Sequence, residues 1–527
     1  MIAKPTFAVH VSAAALDWAL RHLRRFGDTI FLPRAFEYEA IEHDWTRVRA
    51  WLEAQDMREW SPRPYRRFLA AKTPGSFRYI TQLDPIEHLA FAALMYSVGV
   101  ELEGFRVTRR QRLVYSWRFS PKPDGTMYDP KVGWVQFNER CLQLSNVKRV
   151  SHVVVADIAD FFPHLYLHPV ERVLARCTAT QEQAYCVLRI LKGWNALVSY
   201  GVPIGPPSGR ILADATLNDL DEAQIGSAAK YCRYSDDCRI FCRSEAEARQ
   251  RLEFLAKQLF ELYGLTLQST KTTINPVEDY RRRFSLSPER LEAESLEAKF
   301  EELLDRAGVE HEYGESIDYD DLPEDVQQEI DSLNLAEVVR EQIGREKYDP
   351  ILLSLLLQRL GQLDQDDVVE DLLSNLRPLE PVIDSIVRYL SALHIISEQR
   401  RRRIGKHILQ AVRKKGTSTY QATCLLSVFA EGIAFDNAKE FERLYEQVPE
   451  DAKRKLILAL ARTGKARWFY ARRRDASALG PWLRRAFLAG ASCMKEDAKR
   501  AFFKTEERTG DVLEQAVLSW VKAHPLG

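Results

Sequence analysis

The chain has no excess of either charge. Its 527 residues carry 75 Lys and Arg against 75 Asp and Glu. This excludes a uniformly basic nucleic-acid coat and an acidic solvating chain, so charge has to be read region by region. Cysteine pairs are lacking too. The eight cysteines are scattered, with no C-x-x-C and no Cys/His set at zinc spacing. That excludes a zinc finger and argues for reduced, mostly buried thiols of a cytosolic protein. No run of about 18 uncharged apolar residues occurs, so neither a membrane span nor a membrane partner is expected. The opening MIAKPTFAVHVSAAALDWAL is broken by His10 and Asp17. It reads as a strand and a helix, not as a secretory leader. There is no strict repeat.

What is present is ample apolar material, 46% of residues. A chain of this length divides into two to four cores. The first 150 residues mix helical spacing with irregular segments. AIEHDWTRVRAWLEAQ (40–55) and LDPIEHLAFAALMYSVGVELEG (83–104) have helical periodicity, the second with Asp84-Pro85 as a start signal. SPRPYRRFLAAKTPGSFRY (61–79) reads as a basic loop punctuated by Pro and Gly. VYSWRFSPKPDGTMYDPKVGW (114–134) reads as an inserted hairpin or loop. From residue 151 the order is strand, helices, a Gly/Pro loop, a hairpin, a helix ending at Gly264, and a strand pair over LTLQSTKTTI (265–274). That order describes an α+β domain. Residues 286–345 hold 19 acidic and 5 basic residues. From 350 onward helices follow one another in a two-helix rhythm of roughly forty residues, as in HEAT-like stacks.

YCRYSDDCRIF (231–241) raises a question of charge. It places Asp236 and Asp237 inside a β-prone apolar run. A buried pair of like charges is costly unless something compensates it. A divalent cation is the usual compensator, and hard oxygen ligands suit Mg²⁺. One hairpin cannot complete such a site. Asp157, closing the β-branched run HVVVADI, supplies a third carboxylate from a neighbouring strand. Three carboxylates on adjacent strands can hold two Mg²⁺ ions about 4 Å apart for in-line displacement at phosphorus; Mn²⁺ is the substitute to expect.

VVVADIADFF (153–162), GVPIGPPSGRILADATLNDLD (201–221), YSDD (234–237) and GLTLQSTKTTI (264–274) occur in this order. Together they resemble the palm of reverse transcriptases, and KTPGSFRYITQLDPIEHLAFAAL (72–94) resembles the fingers motif upstream. The resemblance implies a right-hand polymerase of α+β class, followed by an all-α HEAT-like region. The segments would be fingers and N-terminal region over 1–150, palm over 151–277, a thumb-like acidic connector over 278–345 and helical repeats over 346–527. It implies metal binding by Asp157, Asp236 and Asp237. Lys72 and Arg78 would grip the triphosphate, Phe162 would exclude a ribose 2′-hydroxyl, Gly205 would sit in the template and nucleotide loop, and Lys271 would assist the leaving pyrophosphate. Ile204 stands where the family commonly has Gln, and Gly209 where a Ser is common.

The Gly/Pro loop and helical tail look most like bacterial abortive-infection and defence-associated reverse transcriptases. That resemblance implies antiphage defence in a bacterial cytoplasm, dNTPs as substrates, RNA or single-stranded DNA as partner, a noncoding RNA or companion defence protein, and a homo-oligomer. It leaves open whether synthesis is RNA-templated or template-independent, and whether it starts from a 3′ or a protein hydroxyl. The alternatives are a weak palm acting as an RNA-binding scaffold, and an intron- or retron-type enzyme. In the tail, RRRRIGKHILQAVRKK (400–415) holds eight basic residues and no acid. KRKLILALARTGKARWFYARRR (453–474) holds nine and no acid. Arg472, Arg473 and Arg474 with Trp468 would bind phosphates and stack on bases.

Overall fold

The computed structural model describes residues 2–73, 76–195, 198–225, 230–282, 323–394, 397–431, 437–508 and 510–526, with seven positions between 295 and 306. The expected acidic connector lies largely outside them. The chain divides into two compact units that are discontinuous in sequence. The first comprises Met1–Thr29, Thr46–Tyr65 and Thr81–Ser287; the second comprises Ile30–Trp45, Arg66–Ile80 and Pro288–Gly527. Among the described residues no helix is long and apolar enough to cross a membrane. All eight cysteines are free, and seven are buried.

Six strands are named. β1 (Arg66–Thr73) and β2 (Ser76–Gln82) form a two-stranded hairpin. β3 (His152–Asp157), β4 (Lys230–Tyr234), β5 (Asp237–Cys242) and β6 (Thr273–Pro276) form a sheet in the order β4-β5-β3-β6, each neighbour antiparallel. In β3 the run Val153–Ala156 is buried on both faces, as a β-branched run with no alternation demands. Val153, Val155 and Phe241 face a core with Tyr115, Phe137 and Cys141. The helix Glu245–Tyr263 packs against β3, β5 and β6. It starts at Ser244, whose hydroxyl accepts the Glu247 N–H, and stops at Gly264 at φ 67°. Helix Pro85–Gly104 starts as its sequence demands: the Asp84 carboxylate accepts the Ile86 N–H, with Pro85 in the first turn.

The second unit is a helical stack. Helices Pro350–Gln362, Ile383–Ala392, Thr419–Glu431, Glu450–Arg462, Pro481–Gly490 and Val512–Ala523 pack each on the next, while the intervening helices pair locally. This is the nearest-neighbour stacking of a helical repeat array. Glu37 ties an early segment to the helices Glu450–Arg462 and Pro481–Gly490. Its buried carboxylate accepts from Arg485 Nε at 2.9 Å and from Arg454 Nη2, and both arginines are fully buried. Burial opposes the ionised form of Glu37, but Arg454 and Arg485 outweigh it and hold its carboxyl below the usual range.

Four local expectations change. Of the basic loop expected over 61–79, residues 61–65 are unassigned backbone, while Arg66–Thr73 and Ser76–Gln82 pair as strands; the alternation of buried and exposed side chains along β1 favours the strand. The expected strand near the N-terminus is unassigned backbone before the helix Ala13–Phe26. The helix over 40–55 breaks at Asp44 into Glu37–His43 and Trp45–Glu53. Of the strand pair over 265–274, only β6 and an isolated bridge between Leu267 and Ile158 form, because the chain turns between Gln268 and Lys271.

Two histidines set an acid sensitivity. His22 and His88 lie on packed helices of the first unit and are buried. Burial lowers His22 to about 4 and His88 to about 3. The folded chain keeps both neutral, whereas the unfolded chain protonates them near pH 6.5. Their contribution is present above pH 6.5 and lost as pH falls toward 4. The expected slope is up to about 1.4 kcal/mol per pH unit for each. Urea unfolding between pH 7.5 and 5 checks this: His88→Asn should be less stable at neutral pH and show a shallower acid slope than the parent chain.

Candidate active site

The β4–β5 hairpin closes on a two-residue turn, with Tyr234 paired to Asp237 and Ser235–Asp236 between them. Such turns need positive φ at their first residue, and Ser235 sits at φ 55°. A side chain there is strained by about 1–3 kcal/mol, so the surroundings must hold it. Ser235 N–H donates to Ser116 Oγ at 2.8 Å, and Ser235 O accepts from Arg233 Nη1 at 2.9 Å. Ser116 Oγ in turn donates to the Asp214 carboxylate at 2.9 Å.

Beneath this turn lies a buried ionic cluster. Arg233 is 0% exposed; it bonds Asp214 Oδ1 at 2.5 Å, and Asp221 through Nε at 2.9 Å and Nη2 at 2.6 Å. Arg106 bonds the other Asp214 oxygen and the Ser116 and Trp117 carbonyls, each at 3.0 Å. Burial disfavours the Arg233 charge, yet Asp214 and Asp221 more than offset this and keep it protonated. The 114–134 insertion thus has a structural role. Phe119 lies against Gly99, where a Cβ would come within 2.4 Å of its ring. Tyr128 donates to Pro207 O at 2.6 Å, and Trp117 stacks under Arg210 at 4.4 Å.

The register brings the carboxylates together. Asp157 pairs with Asp237 across β3 and β5, and Ile158 N–H donates to Asp236 O at 2.9 Å. Asp237 accepts from Arg239 at 2.8 Å. Asp157 Oδ1 accepts from Lys271 Nζ at 2.9 Å, while its backbone oxygen accepts from Gln268 N–H at 2.8 Å. Burial, and then the charge of Asp157, push the Asp236 carboxyl up to about 6. A cation relieves this cost, and carboxylate oxygens are the right donors for a hard divalent one. Among the described residues no three His, Cys, Asp or Glu side chains are gathered as a closed metal cluster. The cations beside Asp157 and Asp237 here are Lys271 and Arg239.

Residues 122–284 match the family model described as reverse transcriptase (RNA-dependent DNA polymerase). This stretch is a reverse transcriptase domain. RNA-directed DNA polymerase is the enzyme class it marks, and the β3–β6 sheet is its palm-like core. No curated protein matches the chain. Among solved structures, apo telomerase from Candida tropicalis is similar at 10% identity and TM-score 0.30, over 76% of this chain and 70% of that one. Telomerase from Candida albicans with a TWJ fragment of telomeric RNA is similar at 10% identity and TM-score 0.32, over 77% and 70%. Scores this low carry no argument about fold or function.

The remaining expected site residues are placed as follows. Phe162 is half-buried against Phe161, and its carbonyl accepts the Val202 N–H at 2.8 Å. Gly205 has φ 137°, and a Cβ there would lie 2.2 Å from Thr81 O; Thr81 N–H also donates to Ile204 O at 2.7 Å. Backbone packing alone therefore demands Gly205. Lys72, exposed, and Arg78, half-buried and over Phe31 at 5.4 Å, belong to the second unit. Trp468 is buried against Tyr445, Phe469 and Phe487, so its ring is not offered to bases. The exposed ring is Tyr470, under Arg473 at 3.7 Å. Arg472 bonds Glu446 at 3.3 Å, and Arg474 is exposed.

Sequence reasoning passed over Ser116, Asp214, Asp221 and Arg233. A signal existed for three of them. An arginine inside a buried strand needs carboxylates, and Asp214 and Asp221 stand seven residues apart on the preceding helical run. Asp221→Ala leaves buried Arg233 half paired, so the expected loss is about 3–5 kcal/mol of stability. Asp214→Asn removes the charge that both Arg106 and Arg233 pair with, so a loss at least as large is expected. Chemical denaturation checks both.

Proposed function

We propose that the chain adds deoxynucleotides to a 3′ or protein hydroxyl by the two-metal chemistry of reverse transcriptases, with Asp157, Asp236 and Asp237 as its carboxylates. One observation carries the reading. Asp157 stands in register opposite Asp237, with Asp236 on the adjoining turn and Lys271 on Asp157, inside the matched domain. Asp157 and Asp236 would hold Mg²⁺ or Mn²⁺, with Asp237 in support. When bound, the metal supplies activation of the attacking hydroxyl and neutralisation of the leaving oxygens.

The chain's own groups do the rest. The buried Arg233 cluster fixes the turn so that Asp236 need not reorganise during reaction. Lys271 has a mobile ammonium beside Asp157, able to pass to the departing pyrophosphate as charge builds there. Phe162, whose ring packs edge-on against Phe161 and whose carbonyl is bonded by Val202, would be the ribose gate. Lys72 and Arg78 would take the triphosphate. The setting we propose, antiphage defence in a bacterial cytoplasm with RNA or single-stranded DNA as partner, rests on sequence resemblance alone.

Purified chain incubated with Mg²⁺ and each labelled dNTP, with and without nuclease pretreatment, is the test. Asp236→Asn should lower incorporation at least about a hundredfold, the scale of losing one transition-state charge stabiliser. No incorporation with any template would sink the polymerase reading in favour of a scaffold. Phe162→Ala should raise rNTP use with dNTP use largely kept; equal selectivity in the variant would remove Phe162 as the gate.

A further inference from the structure

The basic segment 400–415 divides in two. Its arginine end is engaged. Arg400 pairs with Asp366 at 3.0 Å, Arg402 with Glu398 at 2.5 Å and Arg403 with Glu370 at 2.6 Å, while Arg401 bonds the His394 carbonyl at 2.6 Å. Its lysine end is not. Lys414 and Lys415 are exposed and have no carboxylate partner among the described residues, and the same holds for Arg377 on a different segment. Arg377, Arg413, Lys414 and Lys415 line one cavity of about 550 Å³ together with His407. No carboxylate is among its lining residues. Arg413 is held from outside by Glu440 at 2.5 Å, and His407 lies 3.6 Å from Glu370.

The bland explanation is that cations at a helix C-terminus answer the helix dipole. It covers Arg413 and Lys414, which end the helix Glu398–Arg413. It does not explain why Arg377, which follows a separate short helix, Val369–Ser374, converges on the same cavity. The turn that carries the lysines is also fixed in advance. Lys414 N–H donates to Ala411 O at 3.1 Å, Thr417 N–H to Lys414 O at 3.1 Å, and Thr417 Oγ1 to Ala411 O at 2.7 Å. Gly416 supplies the φ of 95° that the turn requires. The lining also offers apolar surface from Leu373, Leu376 and Ala411, with Ser374, Gln410 and Gln421 among it.

We propose that this cavity in the helical stack binds a nucleoside phosphate. The phosphate would sit against Arg377, Lys414 and Lys415 in charge-assisted contacts, and the base and sugar against Leu373 and Leu376. The volume lies in the range of small-ligand pockets. Cations beside apolar surface favour a nucleotide over a purely anionic peptide. The nucleotide is either one unit of a single strand or free in solution, and the experiment separates the two. The site belongs to the second unit and the palm carboxylates to the first, and the proposal does not depend on the polymerase reading.

The test uses the full chain. A 4-thiothymidine oligonucleotide is photo-crosslinked, and the adducts are mapped by mass spectrometry. In parallel, affinity for fluorescent oligothymidylate is measured by anisotropy across salt concentrations. Crosslinks within 373–421 are expected. Arg377→Glu with Lys414→Glu and Lys415→Glu should weaken binding at least about tenfold at 0.1 M salt. The salt slope should fall by about 2, the share of three phosphate contacts to a single strand. Arg402→Glu, already tied to Glu398, is the control and should change little. Competition by dTMP at concentrations that leave inorganic phosphate ineffective would assign the site to a free nucleotide; competition only by longer oligomers assigns it to a strand. Crosslinks confined to other peptides, equal losses in the control, or equal competition by an acidic peptide of matched charge would each overturn the proposal. Primer extension retained in the triple variant would keep its outcome separate from that of the palm.

Discussion

The arginine at position 233 is the constraint on which the palm depends. It is sealed from water between Asp214 and Asp221, and its guanidinium also bonds the carbonyl of Ser235. A buried arginine tolerates no vacancy among its partners, because an unpaired charge in the interior costs far more than a pair gains. The helical run after the Gly/Pro loop, the strand β4 and the 114–134 insertion are therefore locked to one arrangement. The strained Ser235 is part of the same lock, since its N–H and C=O are both engaged by the cluster. The Asp236 turn is rigid for this reason, and rigidity is what preorganised electrostatics requires.

The two faces of the sheet divide the labour. Period-2 alternation puts Arg233 on one face and Cys232 and Tyr234 on the other. Asp157 and Asp237 share the face of Val155 and Arg239 through their register. The Arg233 pairs are sealed from water, whereas the Lys271–Asp157 pair lies at the end of the central strand β3. Lys271 is half exposed where it meets Asp157. An ion pair in such a place is held loosely enough to be replaced; the Arg233 pairs are not.

The helical unit repeats the distinction. Glu37 between Arg454 and Arg485 is a buried lock that joins an early segment of the chain to helices more than four hundred residues later. The arginines at 400–403 answer nearby acids or a carbonyl. Net charge of zero conceals this pairing. Among the cations that line the 373–421 cavity, Arg377, Lys414 and Lys415 have no carboxylate partner among the described residues and so have charge to offer a ligand.

By itself the sequence determined the order of elements in the palm-like sheet and the acids it carries. The three carboxylates, their order and the hairpin were legible because β-branched runs, a tight turn and acids in an apolar setting are local signals. The two-helix rhythm of the tail was legible for the same reason. The tertiary structure decided everything that rests on pairing between distant residues. Gly205 turned out to be a packing requirement against Thr81, which no spacing reveals. Trp468, interleaved with arginines in the sequence, went into the core because its neighbours on the stack are aromatic. The segment 114–134 reads from sequence as an inserted hairpin or loop with no assigned role, yet Ser116 holds the turn that carries Asp236. Local sequence sets which backbone forms. Which buried charge finds which partner is set only when segments a hundred residues apart meet and water is excluded.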